Sequence, residues 1–205
     1  MKLKYKNTII IITGGPGTGK SYAAERIYKA FPQLELLSYD EIKEKEWDRF
    51  GFDNMEQKDR VNRFALEEFY LTLQNMMRHK KSILIEYPFH QQHRKQLAEF
   101  IDAYNYHAIT LLLYGDWKTI YGRGLTRNKT DNRHPGHLTS SYHRETDMSP
   151  QNIIPDALLT YEEFRSDIDR KNYDIRLGTT LSLDVTDFSK TDFEKVFRQI
   201  ADMDS

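Results

Sequence analysis

Residues 14 to 21 read Gly-Gly-Pro-Gly-Thr-Gly-Lys-Ser and follow directly on the apolar run Thr8 to Thr13. Gly14, Gly19, Lys20 and Ser21 satisfy the spacing G-x-x-x-x-G-K-[ST], with Gly15, Pro16, Gly17 and Thr18 at its variable positions. Without a Cβ, glycine lets successive backbone amides turn inward around an anion, and a helix starting at the serine adds the partial positive charge of its N-terminus. Such a turn suits the triphosphate of a nucleotide. Lys20 would reach the β- and γ-phosphates, the Ser21 hydroxyl would serve Mg²⁺, and Tyr22 follows as a further nucleotide-binding position.

If a phosphoryl group is transferred, the chain must also supply a group that orients and deprotonates an acceptor, and cations that stabilise the moving charge. Asp40 follows the predicted strand Glu35 to Ser38, at the carboxyl end where ligands collect in open α/β sheets. Two readings fit it: the acceptor base, or the N-cap of a helix over residues 41–49. Arg123 and Arg127 lie one turn apart on a predicted helix over 117–127 and would clamp a γ-phosphate from one face, the alternative being solvated surface arginines. Residues 118 to 145 hold six basic side chains (Lys118, Arg123, Arg127, Lys129, Arg133, Arg144) against Asp131 and Glu145. A polyanion would be met there. Glu86 ends the strand Ser82 to Glu86, where an acidic group could bind Mg²⁺ directly or through water, touch the acceptor, or be structural. His134, His137 and His143 match no familiar zinc spacing and have no thiolate beside them, so solvent-facing or phosphate-contacting roles are preferred.

The elements that position these groups follow from the apolar pattern. Strand-like runs recur at Thr8–Thr13, Glu35–Ser38, Ser82–Glu86, His107–Tyr114 and Thr180–Val185, separated by helical stretches, an alternation that predicts a parallel sheet wrapped by helices. The clearest helix runs from Met55 to His79, with Val61, Phe64, Ala65, Phe69, Leu73, Met76 and Met77 toward the core. Residues 128–150 carry no apolar period and read as a long exposed loop, a candidate lid. Helices are expected over 150–170 and 188–203, and one domain over 1–205. The aromatic segments Trp47 to Phe52 and Tyr87 to His93 supply either an acceptor pocket or core packing.

Thirty Lys and Arg against 31 Asp and Glu leave a net charge of −1, so no global field draws the chain to nucleic acid or an anionic membrane. The absence of cysteine excludes a disulfide framework or thiolate metal site and fits the cytoplasm as location. Lys2, Lys4 and Lys6 precede an apolar run too short for a signal peptide, and nothing approaches the roughly 20 apolar residues of a membrane span.

Together these residues resemble the P-loop kinases that include polynucleotide 5′-kinases, chloramphenicol phosphotransferase and zeta toxins, an AAA-type small P-loop kinase group. The likeness rests on GGPGTGKS, on Asp40 twenty residues after Lys20, on the R-x-x-x-R pair Arg123 and Arg127, and on Asp184-Val185-Thr186 closing the last strand. The resemblance implies a three-layer α/β/α P-loop NTPase fold with a five-stranded parallel sheet in the order 2-3-1-4-5 and a lid insertion. It implies Asp40 as base, Lys20, Arg123 and Arg127 as charge stabilisers, and Thr186 or Asp187 beside the nucleotide base. Arg133 opens an Arg-His-Pro-Gly-His segment also found in that broad group and is placed among the nucleotide contacts. Polynucleotide kinases carry arginine around the acceptor aspartate, whereas Tyr39 and Lys43 stand here, so the acceptor is not carried over. The expected reaction is Mg²⁺-dependent transfer of the γ-phosphoryl of ATP to a hydroxyl of a nucleoside, nucleotide or sugar-like molecule. A nucleic-acid 5′-end is the second acceptor, and a nucleotide-dependent switch without acceptor chemistry is the third reading.

Overall fold

The computed structural model describes residues 1–3, 5–128, 133–144 and 154–202. In chain order the elements are β1 (Thr8–Thr13), α1 (Lys20–Ala30), β2 (Glu35–Ser38), α2 (Tyr39–Phe50), α3 (Met55–Arg78), β3 (Ile83–Glu86) and α4 (Gln91–Tyr104). They continue with β4 (His107–Tyr114), α5 (Trp117–Arg127), α6 (Tyr161–Lys171), β5 (Thr179–Asp184) and α7 (Phe193–Asp202). All strand pairs are parallel, in the order β2-β3-β1-β4-β5, which is the order the kinase resemblance implied.

The unbroken isoleucine run of β1 exists because both faces of the central strand are covered. Side chains alternate along a strand, so Ile9 and Ile11 enter one core with Phe69 and Leu73 of α3 and Leu97 of α4. Ile10 and Ile12 enter the other, with Ala23 and Ile27 of α1 and Phe197 of α7. All four are fully buried, and each such burial is worth about 1.5–3 kcal/mol. No helix among the described residues is long and apolar enough to cross a membrane.

Three expectations are corrected. The helix expected over 150–170 starts only at Tyr161, because Thr160 and Glu163 form a reciprocal capping box there; residues 154–160 are not helical and 150–153 lie outside the described residues. The stretch 188–202 is a single 3-10 turn, Phe188–Lys190, followed by α7. The segment expected as an exposed loop docks, over its described part 133–144, onto α2.

That docking has a specific core. Phe52 and Tyr142 pair as an isolated antiparallel bridge, exchanging backbone bonds of 2.8 and 2.7 Å, and their rings join Trp47, which is 1 % exposed. A Cβ on Gly136 would come within 2.4 Å of the Trp47 ring, so only glycine fits where the chain crosses the indole. His137 and His134 then reach Glu44 and Asp48, one turn apart on α2, at 2.7 and 3.2 Å. Residues 129–132 and 145–150 of the proposed lid lie outside the described residues.

Beneath this segment Lys58 is buried, its Nζ donating to Thr139 O at 3.0 Å and lying over the Trp47 and Phe52 rings. Burial, assisted by the charge of Lys43, brings its ammonium down to about 8. In the unfolded chain the proton stays on to about pH 10.4, so between those values the unfolded state binds more protons and stability rises with pH. Chemical denaturation should therefore show the unsubstituted protein gaining stability from pH 8 to 10 relative to Lys58→Met; parallel pH curves would show that Lys58 is not held as a reluctant cation.

Candidate active site

β1 delivers Gly14 to Lys20 at the carboxyl edge of the sheet. Gly14 adopts φ +143°, and a Cβ there would lie 2.4 Å from Leu113 O, so the turn can pass β4 only as glycine. Thr18 Oγ1 donates to Gly15 O at 2.8 Å and closes the loop on itself. Lys20 Nζ donates to the carbonyls of Gly14 and Gly15 at 3.1 and 3.0 Å. Its ammonium is pulled down to about 8 by burial and by Arg127 and Arg133, against the favourable charges of Glu86 and Asp40. An anion placed in this loop would restore it. Tyr22 stands edge-on to Phe188 and Phe193 at 5.3 and 5.7 Å and contributes to the cleft wall.

Asp40 is not the helix cap. Ser38 holds that position, its Oγ accepting from Glu41 N at 3.4 Å, and Asp40 lies in the first turn of α2, where the helix dipole favours an anion. Lys43 Nζ approaches Asp40 Oδ1 at 2.7 Å. Burial alone would raise the carboxyl, but Lys43, His137 and Lys20 outweigh it and hold Asp40 well below the usual carboxylate range.

Glu86 ends β3 level with Ile12 of β1 and Ser38 of β2. Its Oε1 accepts from Ser38 Oγ at 3.1 Å and Ser21 Oγ at 3.4 Å, while Oε2 is buried with no hydrogen-bond partner among the described residues. Burial raises its carboxyl despite Lys20. An orphaned buried carboxylate oxygen beside a P-loop hydroxyl fits Mg²⁺, a hard cation that takes one or two protein oxygens and completes its shell with phosphate and water.

These groups line one cleft of about 480 Å³, with Pro16, Gly17, Gly19, Lys20, Ser21, Asp40 and Glu86 on its floor and Arg127, Arg133 and His137 also in its wall. The Nε of Arg133 is buried without a hydrogen-bond partner among the described residues. Arg123 departs from the expected paired clamp. Its Nη2 donates to Val185 O and Thr186 O at 2.9 and 3.1 Å, and its guanidinium stacks over Phe188 at 4.3 Å. One-turn spacing put both arginines on one helix face, but the loop carbonyls after β5 captured the first of them. Thr186, whose Oγ1 accepts from Asp116 N at 2.9 Å, belongs to the same knot and does not line the cleft.

Sequence reasoning gave no site role to Lys43, Lys171 and Tyr173, which also line the cleft. Lys43 had a local signal, being three residues after Asp40 on the same helix face. Lys171 and Tyr173 come from the β4–β5 crossover and had none. Of the two aromatic segments, Trp47 and Phe52 are core, whereas Tyr87, Pro88 and His90 face the cleft. Among the described residues no group of three metal-ligating side chains assembles, and each lid histidine is instead paired with a carboxylate.

A parallel sheet in this order, with a glycine-rich cradle after the central strand, is the fold of the small P-loop kinases. The chain belongs to the AAA domain family AAA_33, whose model matches residues 9–145. No curated protein matches the sequence. Among solved structures it is similar to a candidate kinase from Chloroflexus aurantiacus J-10-fl, with TM-score 0.73 and 22 % identity over 96 % of this chain and 97 % of that one. It is also similar to a gluconokinase from Sinorhizobium meliloti 1021 (TM-score 0.53, 11 % identity, 97 % and 92 % covered). A sugar kinase from Janibacter sp. HTCC2649 shares the architecture to the same degree (TM-score 0.53, 14 % identity, 96 % and 91 % covered).

The tether made by Arg123 has a measurable consequence. Hydrogen bonds to a charged group are worth about 1.5–3 kcal/mol, and in a domain of this size each kcal/mol moves the thermal midpoint by about 2–4 °C. Arg123→Met should lower the midpoint by about 3–12 °C, as read by calorimetry; an unmoved midpoint would show that the guanidinium does not hold the loop.

Proposed function

We propose that the protein is a phosphotransferase that moves the γ-phosphoryl group of ATP to a hydroxyl of a small molecule. The observation that carries this reading is that a P-loop lysine, a strongly ionised carboxylate at the end of β2, and two arginines all line one cleft. In it the amides of residues 14 to 20 and Lys20 hold the β- and γ-phosphates, and Arg127 and Arg133 meet the charge that grows on the transferring group. Asp40 orients the acceptor hydroxyl and receives its proton. The bond between the γ-phosphorus and the bridging oxygen breaks, a new phosphorus–oxygen bond forms, and ADP and a phosphate ester leave. Low basicity is no handicap to Asp40, because in a loose transition state the carboxylate acts more by positioning than by strong deprotonation.

Ser21 and Glu86 would hold Mg²⁺, which when bound neutralises charge on the β- and γ-phosphate oxygens. The segment 128–150 acts as the lid of a single kinase domain and excludes water from the transfer. Two structural neighbours bear the names gluconokinase and sugar kinase, which supports a small polyhydroxy acceptor.

The test is a screen of hydroxyl-bearing metabolites, with 5′-hydroxyl oligonucleotides included, against γ-labelled ATP and magnesium. Label is expected on a small molecule, and Asp40→Asn should reduce its transfer by about 10²–10⁴-fold while ATP affinity changes less than about twofold. Equal losses of both would remove Asp40 from the acceptor role, and undiminished transfer would refute its catalytic part. Glu86→Gln should raise the magnesium concentration required for half-maximal turnover about tenfold or more; an unchanged requirement would exclude Glu86 as a metal contact.

A further inference from the structure

Lys43 is a buried cation that the phosphate cradle does not use. Only 8 % of the residue is exposed, and its Nζ lies 2.7 Å from Asp40 Oδ1. Three aromatic rings also face the ammonium, with Tyr39, Trp47 and Tyr87 centroids at 5.3, 5.2 and 5.0 Å. Exposed lysine–aspartate pairs one turn apart leave both heads in water and fix neither. Here the ammonium is desolvated, attracted by ring faces and directed at a single carboxylate oxygen.

The cage is itself held. Tyr39 donates through its hydroxyl to Asn62 O at 2.6 Å, and Trp47 Nε1 donates to Asn62 Oδ1 at 3.0 Å, so one residue of α3 fixes two of the three rings. The third, Tyr87, follows β3 and meets the Tyr39 ring at 4.3 Å. Two rings of α2 anchored to α3, and a third that follows β3, therefore set where the lysine head, and through it the Asp40 carboxylate, must lie.

We infer that Lys43 is a positioning residue for Asp40, its caged ammonium fixing the orientation of the carboxylate toward the P-loop cleft and keeping it ready for the acceptor's proton. The inference rests on the reading of Asp40 as acceptor base. The other charged groups facing Asp40 are Lys20 from the start of α1, Arg133 and His137 from the docked segment, Glu44 from α2, and Glu86 from β3. Of the cations, Lys43 alone forms an ion pair with Asp40 among the described residues. Without it, the carboxylate sits desolvated with two other carboxylates near it.

The decisive variants are Lys43→Met, which keeps a long unbranched side chain and removes the charge, and Lys43→Arg, which keeps the charge. Hydrolysis of magnesium-ATP without added acceptor, with water in the acceptor's place, is followed against pH together with ATP affinity by calorimetry. The Asp40 carboxyl is followed by ¹³C NMR of labelled aspartate, assigned with Asp40→Asn. Lys43→Met is expected to lose about tenfold or more in turnover with ATP affinity unchanged within about twofold, to shift the acid limb of the pH profile upward, and to raise the Asp40 midpoint by about one pH unit or more. Lys43→Arg should recover most of the turnover. Turnover retained in Lys43→Met would overturn the assignment whether or not the midpoint moves, as would an unmoved midpoint. A protein that binds ATP but never turns it over, while its Asp40 midpoint still responds to Lys43→Met, would instead overturn the phosphoryl-transfer reading and with it the reaction Lys43 is said to serve.

Discussion

Placing β1 between two helical layers determines where the Gly14 to Ser21 turn can lie. A slip of one residue would exchange Ile9 and Ile11 for Ile10 and Ile12 between the two cores, and fully buried isoleucines on both faces hold the strand against it. Thr13, the last residue of the strand, has its hydroxyl 2.8 Å from Phe89 O and 3.0 Å from Tyr173 O, tying the strand end to segments that adjoin the cleft. Across the sheet, Ile12, Glu86 and Ser38 share one level of the register. The cradle, the carboxylate fitted to a metal and the start of the helix bearing Asp40 thus emerge side by side because the strands pair as they do.

The charges at that edge are poorly compensated by the protein alone. Burial makes Lys20 a reluctant cation and Glu86 a reluctant anion, and although each relieves the other, Arg127 and Arg133 add repulsion on Lys20. Among the described residues, Glu86 Oε2 and Arg133 Nε are buried without hydrogen-bond partners. Unmatched buried polar groups are costly, and a polyanion carrying a divalent cation would satisfy both signs at once. Asp40 is different, because Lys43 already compensates it. The two carboxylates of the cleft are therefore driven apart in basicity, which separates a group suited to a metal from one suited to an acceptor.

The cradle was legible in eight residues because the motif, the preceding strand and the following helix each have a local cause. The strands were legible for the same reason, and their order came only through the kinase resemblance. Asp40 as cap or as helix interior could not be decided from spacing, since Ser38 two residues earlier satisfies the same rule. The docking of residues 133–144 was illegible: it depends on Trp47, Phe52, Gly136 and Tyr142, which are far apart in sequence and carry no shared period. Arg123 was lost to backbone carbonyls, whose position leaves no mark in the side-chain pattern. The late start of α6 was written in Thr160 and Glu163, a signal overridden by extending the helix back to the proline at 150.

The central claim, that the turn after β1 grips the phosphates of a nucleotide, is tested most directly by titration calorimetry of the purified protein with ATP in the presence of magnesium. A saturable exothermic or endothermic signal with one site per chain, lost in Lys20→Met while that variant keeps its thermal midpoint, is the predicted result. The absence of any heat for ATP or GTP at millimolar concentration, from protein shown to be folded, would contradict it.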